Sequence, residues 1–356
     1  MKTQTLLAVL IATVGTTVSA EVPRTSWGKP DLSGTYNTAT LTPVQRPEEF
    51  GENLYITQQE AERLIAERQA ELAKLEKEVS NDPDRKAPPK GGDGQYDFGA
   101  GGVGGYNSFW VDPGNTANAV DGKFRTSIIY DPPNGRWPQM TMNGMYLMGK
   151  RFASFRKPNT GTAWWLEEGD GSGPYDNPED RPTADRCLMS FGSSGGPPML
   201  PTLYNNFKRI VQTQDTVMIL VEMVHDARVV RIGGEHIDPS IRKWMGDSIG
   251  WWEGDTLVVE TTNFNDNPGM YAATRDLKVV EKFTRVDENT LNYHFTVEDP
   301  NVWTAPWSGE YSWPISNDPV YEYACHEANY AMGNILRGAR LLEAEAMEKQ
   351  ESGGEE

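Results

Sequence analysis

The residues best suited to proton transfer lie in the stretch TVMILVEMVHDARVVRI, residues 216–232. Its apolar pattern carries one carboxylate, Glu222, and then breaks into His225, Asp226 and Arg228. The chain has only four histidines. An imidazole exchanges protons near neutral pH, and a nearby arginine can stabilise a developing anion. We therefore predict a catalytic group at the rim of a β-sheet, with His225 as base, Glu222 as acid partner and Arg228 as anion stabiliser.

The pattern around Glu222 predicts that its carboxylate is buried. Both alternating faces of the strand TVMILVEMV are apolar, which is typical of a strand covered on both sides. A carboxylate in such a place is either paired or holds its proton more tightly. Two structural alternatives stay open. Glu222 can be satisfied by an arginine or by backbone donors, and the His-Asp-Arg group can be an ion cluster that closes a hairpin.

A second group of reactive residues lies in YEYACHEANY, residues 321–330. Tyr323 is an alternative acid partner, and His326 is a further catalytic candidate. The chain has two cysteines, and we predict that Cys187 and Cys325 form a disulfide, which is the usual state in an oxidising compartment. The bridge would bring Arg186 close to His326. The alternative is a pair of buried free thiols.

Aromatic and polar side chains elsewhere are candidates for substrate binding, although tryptophans more often fill a β core. The predicted substrate-binding residues are Arg186, Trp251, Trp252, Tyr204 and Asn205. Histidine and glutamate are acceptable zinc ligands, but the chain has no HExxH or paired-histidine spacing. The glycines between 91 and 105 lack the flanking strand and helix of a dinucleotide site. We predict neither a metal nor a cofactor.

The first twenty residues predict export. Lys2, an apolar run from Leu6 to Val14 and the small residues before Ala20 are typical of a signal peptide, residues 1–20. The apolar run is too short to span a bilayer, so we predict a periplasmic or secreted protein without membrane insertion. The net charge of −18 would repel nucleic acid and anionic lipid, so we predict neither as a partner. A simpler explanation of the charge is that it keeps an exported protein soluble.

The rest of the chain predicts a mainly β protein. An extended lead, 21–56, precedes a surface helix, 57–79, which opens on a Thr57–Glu60 capping box, and then a Gly/Pro-rich linker or loop, 80–105. Residues 106–349 are predicted to form about eight strands and, from residue 327, a docking helix, followed by a disordered acidic tail, 350–356. Tight turns at 132–135, 214–215, 253–255 and 287–289 favour an antiparallel meander, closed as a lipocalin-like barrel or folded as a sandwich.

Several long runs support the export prediction by resemblance. GGPPMLPTLYNN, WMGDSIGWWEGDTLVVETTNF and YEYACHEANY resemble those of a family of exported bacterial proteins of unassigned function. The resemblance covers roughly residues 125–340 and implies export and a β-rich domain. It implies no activity and no catalytic residue.

The functional prediction is an exported, cofactor-independent enzyme, a lyase, isomerase or hydrolase, that uses acid/base chemistry on a small apolar or glycan substrate. The alternative is a lipocalin-like protein that binds such a ligand without turnover. The sequence makes no prediction of oligomeric state.

Overall fold

The computed structural model describes residues 22–78, 112, 114–156, 175–190, 196–270, 272–327 and 329–353. The predicted signal peptide and the whole predicted linker lie outside these ranges. Within them the fold is mainly β, with two sheets and three α-helices.

Thirteen strands and three helices make up the described elements. The strands are β1 Gly34–Asn37, β2 Tyr55–Ile56, β3 Ala119–Val120, β4 Lys123–Arg125, β5 Ile129–Asp131, β6 Phe207–Gln212, β7 Thr216–Val221, β8 Ala227–Ile232, β9 Asp247–Glu253, β10 Thr256–Thr262, β11 Lys278–Arg285, β12 Thr290–Glu298 and β13 Trp307–Pro314. The helices are α1 Gln58–Glu78, α2 Met142–Arg156 and α3 Tyr330–Gly353.

The large sheet has ten strands in the order β1-β6-β7-β8-β9-β10-β11-β12-β13-β5, and a small sheet has the order β2-β4-β3. Three of the predicted hairpins form, namely β6–β7, β9–β10 and β11–β12. The prediction of a purely antiparallel meander is wrong at one place, because β8 and β9 run parallel. A parallel pair needs a crossover, which residues 233–246 supply.

The crossover is held against the outer face of the sheet by one buried carboxylate. Asp247 accepts hydrogen bonds from Arg231 at 2.9 Å, His236 at 3.1 Å and Lys243 at 3.1 Å. Burial opposes ionisation of Asp247, but these donors and the Ile237 amide together keep its pKa well below the usual range. His236 therefore has a structural place between Asp247 and Glu260, whose oxygen lies 3.4 Å from its other ring nitrogen.

The large sheet curls until its first strand approaches the end of β13. Tyr36 of β1 forms a bridge with Ile315, and the Ser316 amide donates to the Thr35 carbonyl at 2.8 Å. The fold is thus barrel-like. The strand β1 comes from the predicted extended lead, residues 21–56, and pairs with β6 at the edge of the large sheet. Tyr36 is fully buried and belongs to the core.

The first helix begins where its capping box lies. The Thr57 amide donates to the Glu60 carboxylate at 2.9 Å, and the Glu60 amide donates to the Thr57 hydroxyl at 3.2 Å. None of the helices in the described part of the chain combines the length and apolar composition needed to cross a bilayer.

The predicted turn at 132–135 does not join two strands of a hairpin. The turn forms, since the Gly135 amide donates to the Pro132 carbonyl at 2.8 Å, but no second strand follows. Instead Thr141 caps α2 by accepting from the Gly144 amide at 2.9 Å. A side chain at Gly144 would lie 2.4 Å from the Val302 carbonyl oxygen, so the helix seats closely on the β12–β13 loop.

The C-terminal helix is longer than expected. Asn329 caps α3 by accepting from the Met332 amide at 3.2 Å, and the helix continues to Gly353. The prediction of a disordered tail is therefore wrong for residues 350–353, and residues 354–356 lie outside the described ranges.

Aromatic side chains pack the inner face of the large sheet. Tyr293 stacks on Trp313 with ring centroids 4.5 Å apart. The segment 196–200 inserts among them. The Met199 amide donates to the Tyr293 hydroxyl at 2.9 Å, and the Tyr311 hydroxyl donates to the Met199 carbonyl at 2.7 Å. This part of the interior is packed, whereas a lipocalin-like cup would hold its ligand there.

A buried ion pair lies in the same interior. Arg228 binds the Glu281 carboxylate with both terminal nitrogens, at 2.5 and 2.8 Å, and the two side chains are at most 4% exposed. The Tyr293 hydroxyl also donates to Glu281, at 2.8 Å. The prediction that Arg228 lies at the rim beside His225 is therefore wrong, because Arg228 pairs in register with the buried Ile219 and points inward.

We predict that removing one partner of this ion pair lowers the free energy of unfolding more than replacing both partners by apolar residues. Arg228→Met leaves a buried carboxylate without its counter-charge and should lower the free energy of unfolding by about 3–5 kcal/mol. The double variant Arg228→Met/Glu281→Leu should recover much of that loss. Urea denaturation of the wild type and the variants measures both. Equal losses in the single and double variants would contradict the assignment.

Candidate functional site

The candidate site lies at the sheet end where β6 and β8 begin and β7 ends, called here the His225 end. The strand β7 stops at Val221, and residues 223–225 form a short 3-10 turn in place of the predicted strand continuation. Val224 and His225 both adopt left-handed backbone conformations, with φ of 63° and 46°. Such conformations are unfavourable for residues other than glycine, above all for a β-branched valine, and they cluster at functional sites.

The turn exposes one side chain and buries its neighbours. Met223 and Val224 pack into the core, 1% and 5% exposed, whereas His225 is exposed. The turn is anchored by the Glu222 amide, which donates to the Phe207 carbonyl at 3.0 Å. The strained backbone thus presents the imidazole to solvent at a fixed place.

The His225 ring is oriented by a backbone carbonyl. Its Nδ1 lies 2.9 Å from the carbonyl oxygen of Tyr323. Because a carbonyl only accepts, Nδ1 carries the proton and Nε2 of the neutral ring is left as a proton acceptor. The structure therefore places His225 against Tyr323, but the contact is to the Tyr323 backbone and not to the phenol that the sequence offers as an acid.

Glu222 is buried, 3% exposed, as its strand pattern predicts. One carboxylate oxygen accepts from the Tyr321 amide at 3.2 Å, and the other accepts from the Phe207 amide at 3.3 Å. Backbone donors therefore hold Glu222, which was one of the alternatives open from the sequence. Through these bonds Glu222 ties the segment around 321 to the start of β6.

Lys208 is a buried charged residue that sequence reasoning missed. It is fully buried, and burial lowers the pKa of its ammonium to about 7, while the charge of Glu222 acts in the opposite direction. The alternation in FKRIVQ places Lys208 on the same face as the buried Ile210, and this was the available signal.

Asp226 is half-buried beside the histidine. Burial raises the pKa of its carboxyl, and the charge of His225 partly opposes this effect. A carboxyl that keeps its proton more tightly than usual can return a proton to a ligand at higher pH than an exposed aspartate. Asp226 therefore remains a candidate acid at the His225 end.

The predicted disulfide is confirmed. Cys187 and Cys325 are bonded, with their Cα atoms 5.8 Å apart. Next to it the Asn329 side chain donates to the Asp185 carbonyl at 2.7 Å, so the segments around 186 and 326 are neighbours. Arg186, however, pairs with Glu179 at 2.6 Å. His326 is exposed, and no hydrogen bond or ion pair joins its ring to His225 or Glu222 within the described ranges.

The predicted substrate-binding residues divide between the two ends of the sheet. Tyr204 and Asn205 precede β6 and therefore lie at the His225 end, where Tyr204 packs partly against the core. Trp251 and Trp252 lie beyond the opposite end, since Gly250 pairs with the last residue of β8, Ile232. These two candidates therefore do not lie at the His225 end.

The described residues contain no group of three or more histidine, cysteine, aspartate or glutamate side chains arranged to hold a metal ion. Comparisons with models of known protein families, with curated proteins and with solved structures found no match. The function is therefore inferred from the geometry of the His225 end.

We predict that Lys208 makes stability rise with pH above neutrality. Its pKa is about 7 in the folded chain against an ordinary 10.5, so between these values the unfolded chain holds one more proton. The free energy of unfolding then rises with pH, by at most about 1.4 kcal/mol per unit. Urea denaturation between pH 7.5 and 9.5 should show this rise in the wild type and in the surface control Lys150→Met. Its persistence in Lys208→Met would contradict the prediction.

We also predict that the disulfide stabilises the fold. It links residues separated by 138 positions and restricts the unfolded chain. Replacing both cysteines by alanine should lower the free energy of unfolding by about 2–5 kcal/mol, as measured with denaturant. An unchanged midpoint in the double variant would show that the link adds nothing.

Proposed function

We propose that this protein is an exported, cofactor-independent enzyme that transfers protons on a small ligand at the His225 end. The class we favour is a lyase or isomerase, with His225 Nε2 as base. Export to the periplasm or secretion is part of this proposal, and the disulfide, typical of oxidising compartments, supports it.

The observation that carries the proposal is the presentation of His225. His225 is exposed, and its backbone and that of Val224 before it are both left-handed. The carbonyl oxygen of Tyr323, 2.9 Å from Nδ1, sets the orientation of the imidazole ring. An exposed histidine that only interacts with water requires neither feature. Both features together are what a general base requires, a fixed ring with one free acceptor nitrogen.

The neighbouring groups suggest how a proton would move. His225 Nε2 would take a proton from the ligand, and the resulting imidazolium would keep its Nδ1–H bond to the Tyr323 carbonyl. Its positive charge would face Asp226, which interacts electrostatically with His225. The proton would then return to the product from the imidazolium, or from the Asp226 carboxyl, whose pKa burial raises. In the second case the imidazolium would afterwards give up its proton to restore the neutral histidine and the protonated carboxyl.

A second candidate is a protein that binds a ligand without turnover. It is supported by a groove with a cavity volume of 480 Å³ on the outside of the sheet, between β1–β6 and residues 316–320. The ligand would then bind on the outer surface rather than in a lipocalin-like cup.

We predict that His225→Asn abolishes turnover and leaves the fold intact. Asparagine tolerates the left-handed backbone and can still donate to the Tyr323 carbonyl, but it cannot accept the proton. Wild type and variant are incubated with a panel of small apolar and glycan compounds, and products are detected by mass spectrometry. A rate loss of roughly 10²–10⁴ is expected for any compound that the wild type converts.

The thermal melt separates the possible outcomes. Lost turnover with an unchanged melt supports the enzyme. Undiminished turnover in His225→Asn, or a wild type that converts no compound while a ligand still shifts its melt, favours the binding protein. A lowered melt in the variant would show that His225 is structural.

A further inference from the structure

The groove outside β1 and β6 has a second wall that is anchored to the sheet. Its second wall, residues 316–320, is attached at both ends. At one end the Ser316 amide donates to the Thr35 carbonyl at 2.8 Å. Just beyond the other end the Tyr321 amide donates to the Glu222 carboxylate at 3.2 Å. The wall is therefore held at a fixed distance from the sheet.

An exposed arginine, Arg209, lines this groove. Arg209 is exposed, and its side chain forms no hydrogen bond or ion pair within the described part of the chain. Other exposed arginines, such as Arg24 and Arg63, pair with acidic side chains. In a chain of net charge −18 an arginine that faces a cavity with no acidic partner is available to an anionic ligand.

The surroundings of Arg209 restrict the ligand. Val211, on the same face of β6, is 43% exposed and offers an apolar surface inside the groove. Asp318 also lines the groove, and its carboxylate accepts from the Ser316 hydroxyl at 2.8 Å. A second negative charge on the ligand would meet Asp318, so a single anionic group beside an apolar part fits best.

The groove lies close to the proposed base. Arg209 pairs in register with Leu220, and Leu220 pairs with Ala227, so the three side chains form one row on the outer face. Neighbouring strands are roughly 4.8 Å apart, which puts the Cα atoms of Arg209 and Ala227 on the order of 10 Å apart. His225 lies two residues before Ala227, and the groove wall continues directly into Tyr321–Tyr323, which binds Glu222 and His225.

We propose that this groove binds a monocarboxylate with an apolar body, that Arg209 binds the carboxylate, and that the body extends towards His225. This inference rests on the proposed function, for which it names the substrate class. A planar guanidinium matches a carboxylate through two parallel hydrogen bonds. Arg209 thus takes the anion-binding role that the sequence predicted for Arg228. Arg228 instead forms an ion pair with Glu281 in the interior.

The experiment compares an acid with its neutral analogue. Binding of 3-phenylpropionate and of 3-phenylpropionamide is measured by saturation-transfer difference NMR on the wild type, Arg209→Gln and Arg63→Gln. Arg63, an exposed arginine on α1, is the matched control. The wild type and Arg63→Gln should bind the acid, and Arg209→Gln should bind it at least about tenfold more weakly. The amide should bind all three proteins as weakly as the acid binds Arg209→Gln.

Three results would overturn the proposal. These are equal binding of acid and amide by the wild type, undiminished binding of the acid by Arg209→Gln, and no binding of the acid by the wild type. His225→Asn separates this inference from the proposed function. If His225→Asn loses turnover while Arg209→Gln binds the acid normally, the enzyme stands and the carboxylate site falls. If Arg209→Gln loses binding while His225→Asn keeps turnover, the site stands and the base assignment falls.

Discussion

The burial of the Arg228–Glu281 pair is the constraint on which the rest of the structure depends. Two charges inside a sheet are tolerated only when hydrogen bonds satisfy them, and here Thr261 and Tyr293 complete the set. The same phenol accepts from the Met199 amide and so fixes the segment 196–200 in the interior. Four strands and one inserted segment thus converge on a single ion pair, and the space between them is filled.

Because side chains fill this part of the interior, a ligand has to bind on the outer surface or at the ends of the sheet. Arg228 points inward where it pairs with Ile219, and alternation along β7 and β8 then decides which of their side chains face the core. The connection between these strands reverses the chain within Glu222–Asp226, and it does so with two left-handed residues. The exposed imidazole lies on this connection. This links the buried pair to the candidate base and, through the outer row of Arg209, Leu220 and Ala227, to the groove.

The sequence predicted correctly those features that depend on residues close together in the chain. The capping box at Thr57, the three tight hairpins and the burial of Glu222 follow from residues within a few positions of each other. The disulfide followed from the count of two cysteines together with an expected oxidising compartment.

The errors come from long-range geometry. The direction of Arg228 could not be read from alternation, because the turn at 223–225 interrupts the strand period. The distance of the candidates Trp251 and Trp252 from His225 could not be predicted, because the parallel crossover that sets β9 against β8 leaves no local pattern in the sequence. The strand β1 lacks an alternating signal of its own and is defined by its pairing with β6, more than 160 residues away.

The tautomer of His225 is the most direct test of the central claim, that the Tyr323 carbonyl fixes the ring and leaves Nε2 as a base. Long-range ¹H–¹⁵N correlation spectra of the imidazole at pH 8, assigned with His225→Asn, distinguish the two neutral forms. We expect Nδ1 to carry the proton and Nε2 to show the chemical shift of an unprotonated nitrogen. A ring protonated at Nε2, or one that exchanges freely between both forms, would contradict it.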